Sequence, residues 1–389
     1  MPKNRRIQGR RMVLWLVFVG VLVLWGWWSL TGLLIFVGVL GVFEIVWMVS
    51  TWVGRCRLGE ALQAPRVDRI ALEGGWSLAV ARHPAEGPRR AVVVTCHGFN
   101  ANRGNMDLSS GSSLVEFFCQ HGFEVWNVDL RGYGESRARS VAEGGPSDPL
   151  WSFDDHASRD VPAILAHITE ESEVDAVHWV GHSMGGLVMY AYLGLHPEET
   201  RVASLCCLGS PAGLPPSLSN RLIAWVAPLI FAVCAVFPLR WLARGGAMLI
   251  PYLPIHLGFS YPPNIEPYVF RRGLFVMTED FNERITAVFL EMLRSGRFLS
   301  ADGKIDYLAE LAKVQVPLCC IAGEGDTLAP PAQVRLGYEK IGSSCKEFHV
   351  MGRSFGARLD YCHNGLIFAK HAHEEVYPLI LRWLEARCA

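Results

Sequence analysis

The chain has 389 residues, 51% of them hydrophobic, and a formal net charge of −1 at pH 7. Near-neutrality leaves no basic field for nucleic acid, and the eleven cysteines show neither zinc-ligand nor toxin-like spacing. A chain of this length can bury a large core, and its residues present no cofactor or metal framework.

In chain order, the apolar surplus comes first. Residues 12–50 carry one charge, Glu44, among Val, Leu, Ile, Phe, Gly and Trp. One membrane span takes roughly 20 apolar residues, so residues 12–51 suffice for two, broken at Trp27-Trp28-Ser29-Leu30-Thr31-Gly32. Lys3, Arg5, Arg6, Arg10 and Arg11 flank one end and Arg55, Arg57 and Arg66 the other, which places both ends on the cytoplasmic side. The expectation is a basic tail (1–11), a two-span membrane hairpin (12–51), a linker (52–69) and a cytoplasmic catalytic domain. Glu44 reads as a snorkelling carboxylate near the interface.

Alternation of strand-like and helix-like runs follows. Residues 70–82 read as a hairpin turned by Glu73-Gly74-Gly75. Strands are expected at 91–96, 124–129, 175–180, 202–209, 316–322 and 346–351, and helices at 113–121, 156–168, 184–195, 331–341 and 374–387. This order predicts an α/β fold with a mostly parallel sheet covered by helices on both faces. Cys206-Cys207 and Cys319-Cys320 lie in strand-like runs, where neighbours point to opposite faces, so buried free thiols in a reducing compartment are expected.

The alternation breaks at 211–301, dividing the core into 70–210 and 302–389. Its apolar part, with Trp225, Phe231, Phe237 and Trp241, would leave Ser183 and the later strands on opposite sides of a bilayer if it crossed one. A helical cap over the site, with or without a face in lipid, is expected instead.

Chemistry enters at Gly181-His182-Ser183-Met184-Gly185-Gly186, between a strand-like run and an apolar helix. That context makes Ser183 a nucleophile lifted on a sharp strand-to-helix turn, with small neighbours where strand and helix approach. Gly352-Arg353-Ser354-Phe355-Gly356 has the same spacing but no apolar helix behind it, so Ser354 is read as loop. A serine nucleophile needs a base, an acid to orient the base, and oxyanion donors. Asp326 follows a buried strand, with Glu324 as second candidate. His363 lies between the last strand and the last helix. His349, inside a strand, reads as a packed core histidine, and His371 and His373 as an isolated pair without further metal ligands. Met184 and Phe99 are the expected oxyanion donors, and His97 is expected to brace the loop of Gly98 by hydrogen bonding.

Taken together, His97-Gly98-Phe99, the run Asp129 to Ser136, the serine turn, Gly325-Asp326 and His363 resemble the α/β-hydrolase superfamily, in particular its serine esterases, lipases and acyltransferases. Trp151 to Asp155, Asp160 to Ala163 and the ending from His363 to Trp383 are similar to the acid-lipase and polyhydroxyalkanoate-synthase-like branch. Polymerising members of that branch use cysteine as nucleophile, whereas this chain has Ser183. The resemblance implies an α/β-hydrolase fold, and the transmembrane hairpin is not part of the family pattern. It also implies hydrolysis of carboxylic esters through an acyl-serine with no cofactor, and the apolar cap and lipid anchor make acyl lipids or other hydrophobic esters, reaching the pocket from the bilayer, the expected substrates. An acyltransferase using the same acyl-enzyme, or a non-enzymatic protein on this fold, are the alternatives.

Overall fold

The computed structural model describes residues 30–388 apart from residues 60–61, 144, 147–149, 215–221, 223, 227, 229–230, 232–234 and 249–259. The expected basic tail and the first span of the hairpin lie outside the described residues.

The second expected span is part of a 29-residue helix, α1 (Leu30–Leu58), which begins two residues earlier and continues seven beyond residue 51. Its stretch Val37–Leu58 is the one described segment long and apolar enough to cross a membrane, with only 11% of its most apolar window buried. The buried positions recur at helical spacing on one face. Trp47 lies 4.8 Å from the ring of Trp241, Ser50 Oγ donates to the carbonyl of Gly245 at 2.6 Å, and Leu58 is buried.

The main sheet opens with an antiparallel hairpin of β1 (Arg66–Leu72) and β2 (Trp76–His83), turned at Glu73–Gly75. It continues with β3 (Ala91–Cys96), α2 (Leu114–Gln120), β4 (Phe123–Asp129), the short β5 (Arg137–Ala138), α3 (Val161–Ser172), β6 (Val177–His182), α4 (Met184–Leu195) and β7 (Val202–Leu208). The segment between β7 and β10 contributes β8 (Val236–Phe237), α5 (Leu239–Gly246), α6 (Pro267–Arg272), β9 (Phe281–Asn282) and α7 (Glu283–Ser295), with β8 and β9 paired apart from the main sheet. Then come β10 (Leu318–Gly323), α8 (Pro331–Lys340), β11 (Lys346–Met351) and α9 (Tyr377–Glu385). The nine-stranded sheet runs β1-β2-β4-β3-β6-β7-β10-β11 with β5 beside β2. From β4 to β11 every pairing is parallel.

Both faces of this sheet are buried, which is why its strands read as continuous apolar runs. Val92 and Val94 pack on one side with Trp126, Trp179 and Leu187. Val93 packs on the other with Val125, Val180, Ile321 and Trp383. Two element expectations change. The helix expected at 156–168 begins as a π-turn, His156–Asp160, and continues to Ser172. The helix expected at 374–387 is divided into Ala372–Glu375 and α9, because Pro378 supplies no N–H to a continuous ladder. The ten described cysteines are all free thiols.

Candidate active site

The turn between β6 and α4 places Ser183 at φ 53°, ψ −116°, a left-handed conformation that costs a non-glycine residue roughly 1–3 kcal/mol and persists only where surroundings enforce it. The surroundings here are backbone. Ser183 N–H donates to Leu208 O at 2.8 Å, and a Cβ on Gly181 or Gly185 would stand 2.4 Å from Gly186 N or Cys96 O respectively. The strand, the helix and β3 are therefore pressed together behind the serine, with the N-terminal end of α4 favouring negative charge in front of it.

At the same carboxyl edge of the sheet, Asp326 follows β10 and is 3% exposed. Its Oδ1 accepts from the N–H groups of Leu328 and Ala329 at 2.9 and 2.7 Å, and its Oδ2 pairs with His363 Nδ1 at 2.7 Å. Gly209, at φ 56°, ends β7 beneath that pair, and a Cβ there would lie 3.2 Å from His363 Nδ1. His182, next to Ser183, has its ring 4.7 Å from that of His363, with Nε2 3.2 Å from the His363 carbonyl and Nδ1 2.9 Å from Asn105 Oδ1. Both neighbours are acceptors. Burial, with His363 and His97 nearby, holds the His182 pKa well below the ordinary histidine value, so a neutral ring serves one of them at a time. Glu324, the second acid candidate, turns elsewhere: its carboxylate accepts from Ser354 N–H at 3.1 Å. Ser354 itself is exposed on a turn after β11.

The loop after β3 carries Phe99. His97 Nδ1 donates to Gly98 O at 2.8 Å while Nε2 accepts from Leu130 N–H at 3.1 Å. Burial lowers its pKa to about 4, so the brace is a neutral imidazole. Gly98 N–H donates to Asn105 Oδ1 at 2.9 Å, and a Cβ on Gly98 would stand 3.2 Å from Ser183 Cβ. Asn100 has φ 52°. The Phe99 ring stacks on Phe289 of α7 at 4.3 Å. Met184, which opens α4, is fully buried.

Several residues around the site have a role that the sequence itself does not disclose. Asn105 joins Gly98 to His182. Asp129, fully buried at the end of β4, accepts from the backbone and guanidinium of Arg103 at 2.7 and 2.9 Å. Arg131, Asp160 and His156 form a second buried network. A charged residue ending an otherwise apolar run was the available hint at Asp129, but its partners are distant in the chain.

His349 departs from its expected core position. It is part-exposed on β11, 3.1 Å from Glu347, because β11 ends the sheet and one side of it meets solvent. The hydrogen bond to Cys319 raises its pKa. Among the described residues, Cys319, Glu347 and His349 are the group close enough to share a metal ion. His371 and His373 instead contact Glu374 on the surface.

A groove of about 800 Å³ runs past Leu62, Ser110, Tyr268 and Lys370 and contains none of Ser183, Asp326 and His363. Those three are at most 7% exposed. A small cavity next to Asn364, lined by Phe270, Leu274, Met277 and Phe368, adjoins the His363 loop and is the more relevant to it.

A model of the alpha/beta hydrolase fold matches residues 91–230. The poly(3-hydroxyalkanoate) polymerase subunit PhaC of Haloferax mediterranei is 23% identical over 302 residues, 72% of this chain and 56% of that protein. Human lysosomal acid lipase/cholesteryl ester hydrolase is 29% identical over 156 residues, 37% of this chain and 39% of that protein. The chain thus spans about half the length of the first relative and less of the second. A thermophilic esterase from Thermogutta terrifontis superposes with a TM-score of 0.54 at 19% identity, covering 83% of this chain and all of that one. The chain therefore has the α/β-hydrolase fold, and within that fold it resembles serine esterases and lipases, with the acid lipases and poly(3-hydroxyalkanoate) polymerases as its likeness in sequence.

Proposed function

We propose that the protein is a membrane-anchored serine hydrolase that cleaves carboxylic esters, with Ser183 as nucleophile, His363 as base and Asp326 as its orienting acid. The observation that carries this reading is the buried 2.7 Å contact between His363 Nδ1 and Asp326 Oδ2, at the sheet edge that also holds a serine in left-handed backbone. Asp326 fixes the tautomer with Nε2 free for the serine. Ser183 Oγ attacks the ester carbonyl as His363 Nε2 takes its proton. The N–H groups of Met184 and Phe99 stabilise the oxyanion. Collapse expels the alcohol, which takes the proton back from His363, and leaves an acyl-serine. Water activated by His363 then attacks this ester and releases the acid. No metal or cofactor enters the scheme.

Residues 70–210 and 302–389 form the catalytic core in this reading, and 211–301 the cap. α1 spans the bilayer as the second arm of a hairpin with residues 12–28, both ends cytoplasmic. Support comes from the outward side chains of Val39, Val42, Ile45 and Met48, each 58–62% exposed, and from the seat of α1 on the cap. Leu222 and Trp225 of the cap are also 60% and 70% exposed, apolar surface that lipid would cover. Acyl lipids and other hydrophobic esters are the substrates this arrangement favours.

Fluorophosphonate labelling tests the assignment. Wild type reacts; Ser183→Ala does not, and its ester turnover falls by about 10³-fold or more. Labelling that survives in the mutant sinks Ser183 and moves the chemistry to Ser354. The likeness to a poly(3-hydroxyalkanoate) polymerase favours a second reading, transfer of the acyl group to an alcohol. A new ester formed on adding an acceptor alcohol distinguishes it from hydrolysis.

A further inference from the structure

Glu279 lies in the segment between β7 and β10, two residues after the π-turn Gly273–Met277, and is 3% exposed. Its backbone N–H donates to Asn100 O at 2.8 Å. Oε1 accepts from Asn102 Nδ2 at 2.9 Å and from Gly134 N–H at 3.1 Å. Oε2 accepts from Arg240 Nη1 at 3.2 Å, with Arg137 Nη2 at 3.6 Å. These partners come from the loop after β3, the loop after β4, β5 and α5. A buried carboxylate is tolerated only when its lone pairs are filled, and both oxygens here face donors.

Asn100 shows what the clamp holds. It is one of three non-glycine residues with positive φ among those described, and it directly follows Phe99. Strain of this kind lasts only where neighbours over-determine the backbone. From the core side the loop is tied by Asn105 to Gly98. From the other side, Glu279 supplies the donor to Asn100 O and the acceptor for Asn102.

We infer that Glu279 is a positioning residue for the oxyanion loop, holding residues 98–102 so that the Phe99 N–H meets the developing charge. This rests on the reading of Phe99 under the proposed function. Arg240 extends the clamp to α5, on which Trp241 and Gly245 seat α1. The loop geometry is thus joined through one carboxylate to the helix that enters the membrane.

The test uses full-length protein in detergent, a short water-soluble p-nitrophenyl ester, and active-site titration with a fluorophosphonate, so that rates are per competent site and misfolded material cancels. Glu279→Gln is nearly isosteric but turns an acceptor into an amide that opposes the donors. It is expected to lower kcat about tenfold or more with KM within about twofold, since loss of oxyanion stabilisation acts on the transition state. Arg240→Met, at a part-exposed side chain, leaves the buried position filled and is expected to lower kcat about threefold at unchanged KM. A kcat per titrated site equal to wild type in both variants overturns the inference, because a purely structural Glu279 would change only the number of sites. A wild type that neither labels nor turns over overturns the reading beneath it, and the inference with it.

Discussion

The sheet core is fastened by apolar burial, and the segment between β7 and β10 by apolar burial together with buried polar ties. In the core, Val93, Val94, Trp179, Leu318 and Ile321 are fully buried, and each such side chain contributes roughly 1.5–3 kcal/mol by leaving water. The inserted segment also buries apolar side chains against that core, Ile285, Val288, Met292, Phe270 and Phe275 among them, and adds polar ties. Arg272 donates to the carbonyls of Leu108 and Leu58 at 2.7 and 2.9 Å, and Glu279 accepts from Asn102 and Gly134 of the loops after β3 and β4. Small residues complete its contact with α1: a Cβ on Gly245 would stand 1.7 Å from Trp47, and one on Gly54 2.6 Å from Phe275. Ser183, Asp326 and His363 therefore stand on the part held by apolar burial, next to a part that adds specific and individually removable polar attachments.

Disturbing the core should cost the most. Gly185→Val drives a side chain against the Cys96 carbonyl, 2.4 Å from the first added atom, and backbone cannot yield as a side chain can. A loss of about 4 kcal/mol or more in urea unfolding is expected; a loss under 1 kcal/mol would mean that the approach of α4 to β3 is loose. Acid is next. Burial lowers the pKa of His97 and His178 to about 4 and that of His182 well below 6.5. All three are neutral when folded and protonate near 6.5 when unfolded, so the unfolded state binds more protons below that pH. Their stability contribution is complete above about 6.5 and is lost as pH falls toward 4, with His97 and His178 alone contributing on the order of 2 kcal/mol between pH 7 and 5.5. A denaturation midpoint that holds constant over that range contradicts the neutral assignments.

The smallest effect separates the two regions most cleanly. Gly245→Val displaces Trp47 and unseats α1 without touching the sheet. Core unfolding should change by less than about 1 kcal/mol, while turnover of long-chain esters falls about fivefold more than that of short soluble ones. Equal loss on both substrates would separate the seat of α1 from substrate delivery.

Legibility followed the same division. The turns around Ser183 and Asp326 were readable because each is a local matter: an apolar strand, a compact turn, a following helix. Placing His363 needed chain order as well, and its contact with Asp326 joins residues 37 apart. His349 misled because a strand position does not disclose whether the strand is at the sheet's end. Asn105 and Glu279 were silent, and Asp129 showed only as the charged end of an apolar run: a polar residue becomes a fastener only through a partner, and theirs lie as far as 177 residues away.

What the amino-acid order determined by itself was the α/β alternation, the serine turn with its glycines, two candidate acids and a candidate base, and an apolar N-terminal helix. Period, chain stiffness and side-chain volume act over a few residues and leave their mark in the string. Tertiary structure alone decided which faces α1 and the inserted segment present to each other, which acid the imidazole meets, and which carboxylate restrains the loop beside Ser183. Those are outcomes of burial, and whether a charge is buried depends on everything that folds around it.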